Sequence, residues 1–119
     1  MKEEKISASF ESNRVVADDN VVSRSLYDKS TFGELIGKKF VYSYAEALFL
    51  IEKGLMEVYS GNKILNEDSF IRKVRKIDHR FWIRYSAYRD MRTRGYIVKT
   101  ALKFGADFRV YDRGIKPGE

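Results

Sequence analysis

The stretch SYAEALFLIEKGLMEVYSGN, residues 43–62, contains a complete helix-to-strand unit, and the fold is read outward from it. Ser43 and Glu46 stand three residues apart, the spacing of a capping box, so each side chain can satisfy an orphan amide of the first helical turn. Ala47, Leu48, Leu50 and Ile51 then supply a broad apolar face, and Gly54 supplies a stop. The run LMEVY, residues 55–59, returns to an extended pattern before the turn Ser60-Gly61-Asn62. A helix packed beside a strand is therefore expected here.

Toward the N-terminus, residues 5–27 show short apolar runs (Ile6, Ala8, Phe10; Val15, Val16; Val21, Val22, Leu26) broken by the clusters Glu11-Ser12-Asn13 and Asp18-Asp19-Asn20. That pattern predicts a small antiparallel sheet extending to Tyr27. Residues 28–39, with Gly33 and Gly37, read as a connector or a loose turn of helix.

Toward the C-terminus a single long helix is expected from Asn66 or Asp68 to Gly95, because Phe70, Val74, Ile77, Phe81, Tyr85, Tyr88 and Met91 recur at intervals of three and four. An aromatic stripe at this spacing predicts core packing rather than base stacking. The remaining faces carry Arg72, Lys73, Arg75, Lys76, Arg80, Arg84, Arg89, Arg92 and Arg94. His79, the only histidine, falls in this helix beside Asp78 and off the stripe, as a surface or interface residue. After Gly95, residues 96–100 and 107–111 alternate as strands around the turn Phe104-Gly105-Ala106. Phe108 and Val110 then share one face, and Asp107, Arg109 and Tyr111 the other. The expected class is α+β, mixed α/β: a small N-terminal sheet-plus-helix domain over 1–62, followed by a second domain over 66–119 with a long helix and two strands.

Composition agrees with a folded chain. At 119 residues, 44% hydrophobic and 14% aromatic, it can bury a real core. It has no cysteine, which excludes a disulfide framework and thiolate metal sites and favours a reducing compartment. The N-terminus lacks the apolar run of a signal peptide, and no segment approaches the roughly 18 apolar residues that cross a bilayer. A soluble, cytoplasmic protein without a membrane partner is expected. Residues 1–60 hold 8 basic and 10 acidic side chains, and residues 61–119 hold 15 and 7. Positive charge concentrated in one half suits a polyanion, nucleic acid above all, although solvated helix faces give the same composition.

No stretch matches a phosphate-cradling glycine loop, a metal-ligand cluster or a nucleophile beside a histidine base, so no cofactor or metal is expected. Tyr111 can serve in proton transfer if the cations Arg109 or Arg113 stabilise its phenolate, although strand tyrosines are more commonly amphipathic rim residues. Arg89 and Arg92 are candidate RNA contacts together with Arg109 and Arg113. The place of Arg89, Asp90, Arg92 and Arg94 just before Gly95 equally suits helix-end charge pairing and support of the following sheet, a structural role expected for Asp90.

The continuous run YSAYRDMRTRGYIVKTALKFGADFRVYDRG, residues 85–114, resembles the catalytic domain of archaeal tRNA-splicing endonucleases, also called tRNA-intron lyases. Residues 44–58, YAEALFLIEKGLMEV, resemble that family's N-terminal domain, while residues 1–40 match only in carrying short strands. The resemblance implies metal-independent cleavage of precursor tRNA at bulge-helix-bulge junctions, giving 2′,3′-cyclic phosphate and 5′-hydroxyl ends. It also implies a homo-oligomer or a partner endonuclease subunit.

Of the family's three catalytic residues, the general-base tyrosine, which ends Phe-Arg-Val-Tyr, falls on Tyr111. The general-acid histidine is expected beyond a segment like residues 114–119, and the stabilising lysine matches none of Lys99, Lys103 or Lys116. His79 stands in the wrong element for the acid. The resemblance thus implies a chain truncated before its histidine, and inactive alone. Two other readings stay open: a non-catalytic structural subunit, and a general basic RNA-binding module.

Overall fold

The computed structural model describes residues 5–11 and 14–99, with the backbone of Thr100 and of 108–111. In chain order the elements are β1 (Ile6–Glu11), β2 (Arg14–Asp18), α1 (Val21–Ser30), β3 (Glu34–Ile36), β4 (Lys39–Tyr42) and α2 (Tyr44–Glu52). They continue with β5 (Met56–Ser60), β6 (Lys63–Leu65), α3 (Glu67–Ile77), α4 (Phe81–Thr93), β7 (Ile97–Thr100) and β8 (Phe108–Tyr111). The class is the α+β mixture expected.

Six strands form one sheet in the order β3-β4-β2-β1-β5-β6, while β7 and β8 form an antiparallel pair of their own. Only β1 and β5 run parallel within the six. Parallel neighbours cannot be joined by a tight turn, and the chain between them forms the three strands of the sheet's other half and two helices. The register sets Val58 opposite Ala8, Ala8 opposite Ala17, and Ala17 opposite Phe40. This row is buried from end to end, and α2 covers it, with Ala47, Leu48 and Leu50 fully enclosed.

The other side of α2 meets α3 and α4. Phe70 and Val74 from α3, and Phe81, Tyr85 and Tyr88 from α4, complete one continuous core. The aromatic series packs ring to ring: Phe81 on Tyr85 at 5.7 Å, and Phe49 of α2 edge-on to Tyr88 at 6.0 Å. The stripe is core, as its spacing predicted, except at Ile77, which is exposed at the end of α3. The Ser43 cap is also as expected, with the Ser43 hydroxyl accepting from the Glu46 amide at 3.1 Å and the Glu46 carboxylate accepting from the Ser43 amide at 3.0 Å.

Three expectations need correction. Residues 21–30 are a helix rather than a strand, because the Asn20 carboxamide accepts from the Ser23 amide and the Ser23 hydroxyl accepts from the Asn20 amide, both at 3.0 Å. That capping box starts a helix in which Val22 and Leu26, four apart, lie on the core side. Residues 28–39 are no mere connector: they hold the end of α1 and a hairpin, β3 and β4, turned at Gly37 with φ of 64°.

The long helix is two helices. Asp78 takes extended angles (φ −129°, ψ 100°), and its carboxylate accepts from the Arg80 amide at 3.0 Å. An aspartate side chain that bonds the backbone two residues ahead competes with the helical ladder, which restarts at Phe81. His79 lies in that turn and is exposed. β6, unread in the sequence, pairs with β5 across the expected turn at Gly61. The turn expected at Phe104-Gly105-Ala106 lies outside the described residues. Among the described residues, no helix is long and apolar enough to cross a membrane.

Candidate functional site

Tyr111 stands on β8, opposite Ile97 of β7, and Arg109 stands opposite Lys99. Alternation puts positions 97, 99, 109 and 111 on one face of this ribbon and 98, 100, 108 and 110 on the other. β7 is buried at Ile97, Val98 and Lys99 alike. The strand that carries Tyr111 is thus paired to a strand anchored in the core.

The anchor is polar. Lys99 Nζ donates to Glu46 Oε2 at 2.7 Å, to the Thr31 carbonyl at 3.1 Å and to the Gly33 carbonyl at 3.0 Å, which uses all three of its protons. Glu46 also accepts from the amides of Ser43 and Gly33, each at 3.0 Å. Burial pushes the Glu46 carboxyl up, but the Lys99 ammonium and the two amides outweigh it and hold the group below the usual carboxylate range. The capping residue of α2 is therefore also the counter-ion of β7.

The segment that receives Lys99 is bent to fit. Thr31, the C-cap of α1, has φ of 55°, and Gly33 has φ of 84°. A Cβ on Gly33 would lie 2.8 Å from Tyr42 Cε1, so the backbone passes closer to that ring than a side chain permits.

Arg92 of α4 reaches the same segment. It is 8% exposed, donates to the Ser30 carbonyl at 2.8 Å and the Tyr88 hydroxyl at 3.1 Å, and stacks 4.0 Å over Phe32. A cleft of about 200 Å³ opens beside it, lined among others by Lys29, Phe49, Gly95 and Tyr96. These contacts tie α4 to the end of α1 and the segment that follows it. Arg89 is half exposed, pairs with Glu52 at 3.6 Å and lies over the Tyr85 ring. Tyr85 donates to the same carboxylate, and burial together with Glu52 pushes its phenol up. Asp90 pairs with Arg94 at 3.3 Å, the helix-end charge pair expected. Arg113 lies outside the described residues, as do the side chains of Arg109 and Tyr111.

Sequence reasoning missed the Lys99–Glu46 pair. The available signal was a cation inside the apolar run Tyr-Ile-Val-Lys-Thr, and nothing in that run points to a partner 53 residues away. Among the described residues no group of His, Asp or Glu is placed to hold a metal ion.

Comparison with known proteins agrees with the motifs. A family model for the tRNA intron endonuclease N-terminal domain matches residues 6–71, and one for the catalytic C-terminal domain of the same family matches residues 81–119. A tRNA-splicing endonuclease of Thermococcus onnurineus is 40% identical over 112 residues, covering 94% of this chain and 66% of the relative. One from Nanoarchaeum equitans is 53% identical over 72 residues, covering 60% of this chain and 47% of the relative. A third, from Methanosarcina barkeri, is 37% identical over 109 residues, covering 90% and 31%. The chain thus spans two thirds or less of the curated relatives it matches. The chain belongs to the tRNA intron endonuclease family.

Proposed function

We propose that this chain is a subunit of a tRNA-splicing endonuclease, acting in the cytoplasm on precursor tRNA at bulge-helix-bulge junctions without metal or cofactor. The observation that carries the reading is the family match over both parts of the chain, including Phe-Arg-Val-Tyr on β8. Residues 1–62 and 66–119 form its two domains.

In this reading Tyr111 is the general base. Its phenolate takes the proton of the ribose 2′-hydroxyl beside the cut, the 2′-oxygen attacks the adjacent phosphorus, and the bond to the 5′-oxygen breaks. The products are a 2′,3′-cyclic phosphate and a 5′-hydroxyl, which takes up a proton from the general acid. A phenol ordinarily ionises near pH 10, so the base needs nearby positive charge, the part this reading gives to Arg109 or Arg113. The reading assigns the acid and the stabilising lysine to none of these residues, and the working enzyme is a homo-oligomer or a complex with a partner endonuclease subunit.

The test is cleavage of a bulge-helix-bulge RNA in EDTA, by the chain alone and in its assembly with partner subunits. Cyclic-phosphate ends from the assembly, lost with Tyr111→Phe, support the reading. An assembly whose cleavage survives Tyr111→Phe makes this a structural subunit. Binding of many RNAs with a steep salt dependence and no preference for bulges makes it a general basic module.

A further inference from the structure

The nine cations that follow Asn66 and precede Gly95 are not equivalent once folded. Lys73 lies 4.9 Å over the Phe10 ring, Arg84 pairs with Asp78, Arg89 with Glu52, and Arg94 with Asp90. Arg92 is buried on Ser30 and Tyr88. Four remain, Arg72, Arg75, Lys76 and Arg80, all exposed and without an acidic partner within ion-pair distance among the described residues.

Three of the four share one face. At a helical turn of 3.6 residues, Arg72, Arg75 and Lys76 fall within about 100° of one another on α3, directly away from buried Phe70 and Val74. Arg80 stands in the turn that joins α3 to α4, beside exposed His79. The acids closest in sequence are otherwise placed. Asp78 is occupied by Arg84 and the Arg80 amide, while Glu67 and Asp68 sit in the first turn of α3, where negative charge favours the helix dipole; Asp68 shares the face of Arg72 but makes no ion pair with it. The result is a ridge with an excess of positive charge.

We propose that this ridge, at the elbow between α3 and α4, binds the phosphate backbone of an RNA duplex arm. The inference rests on the reading of the chain as a splicing endonuclease subunit and adds a second RNA contact to it. α4 rises about 20 Å between the elbow and its C-terminal end, and β7 begins just beyond that end. The ridge and the β7–β8 ribbon that carries Tyr111 therefore lie at opposite ends of α4, so the ridge holds an arm flanking the cut rather than the scissile phosphate. Side chains cannot read base edges in the deep groove of an RNA helix, so exposed arginines and a lysine at helical spacing suit its phosphates.

The experiment measures equilibrium binding of the purified chain to a labelled bulge-helix-bulge RNA and to a plain RNA duplex across a salt series. The protein forms compared are the unaltered chain, the fourfold alanine variant at Arg72, Arg75, Lys76 and Arg80, and the variant in which the three arginines become lysine. All four positions are exposed, and matched circular dichroism spectra check folding.

The expected result for the alanine variant is weaker binding of both RNAs to about the same extent, with the slope of log K against log salt flattened by about 3.6. Lysine should keep most of that slope, because a phosphate contact needs charge before geometry. Unchanged affinity and slope would overturn the proposal and leave the ridge solvated. A changed oligomeric state with RNA binding intact would overturn it too, making the ridge a protein contact. Failure of the functional reading appears elsewhere: the unaltered chain would then show no preference between the two RNAs.

Discussion

Lys99 on β7 and Glu46 on α2 are joined at 2.7 Å with side chains only 4% and 2% exposed. Through them the strand pair bearing Tyr111 is tied to the cap of the central helix. Removing one member of a buried ion pair leaves the other charge desolvated and unpaired, which costs about 3–5 kcal/mol. Lys99→Met is therefore expected to lower stability by about that amount in urea unfolding. In a double-mutant cycle with Glu46→Gln the two losses should fall well short of additive. Additive losses would mean that the pair is not coupled in solution.

Acid should act through the same carboxylate. Its folded pKa lies below the ordinary value of 4.5, so the stability it contributes is complete above that value and is lost as pH falls through the folded pKa. Stability measured from pH 6 downward should drop more steeply in the unaltered protein than in Glu46→Gln. Parallel curves would remove Glu46 from the acid response.

Gly33 and Gly37 both have positive φ but different surroundings. Alanine at Gly37, with φ of 64° and no atom within 4 Å of the new Cβ, meets backbone strain alone, about 1 kcal/mol. Alanine at Gly33 meets the same strain together with the Tyr42 ring at 2.8 Å, and it displaces the carbonyl and amide that hold Lys99 and Glu46. Its cost should be clearly larger. Equal midpoints for the two variants in urea would show that the close approach relaxes freely.

Arg92 and Arg89 stand three residues apart and should respond to alanine to different extents. Arg92→Ala removes charge-assisted bonds from the Ser30 carbonyl and Tyr88, an expected loss of about 1.5–3 kcal/mol, with the salt slope of RNA binding unaltered in the folded fraction. Arg89→Ala breaks a half-exposed pair with Glu52 worth at most about 1 kcal/mol. Thermal unfolding of the two variants measures the contrast, and a larger loss at Arg89 would contradict it.

What the sequence determined by itself was local. The Ser43–Glu46 box, the stop at Gly54, the β1 and β2 alternation and the aromatic stripe are each set by contacts or spacings within a few residues, so they were legible from the chain alone. The Asn20–Ser23 box was equally local, but Val21, Val22 and Leu26 over so short a run fit a strand or a helix, and periodicity could not choose between them. The break at Asp78 was hidden because Phe81 and Tyr85 extend the spacing of Phe70 and Val74 without interruption. Which cations face water, and which carboxylate meets Lys99, was decided only by tertiary structure. Burial and charge pairing depend on what other elements bring to the same place: Arg92 finds Ser30 and Lys99 finds Glu46 only after α1, α2, α4 and β7 have packed together. The candidate site divides in the same way, with Tyr111 readable from its motif and the polar anchor beneath its strand set by the fold.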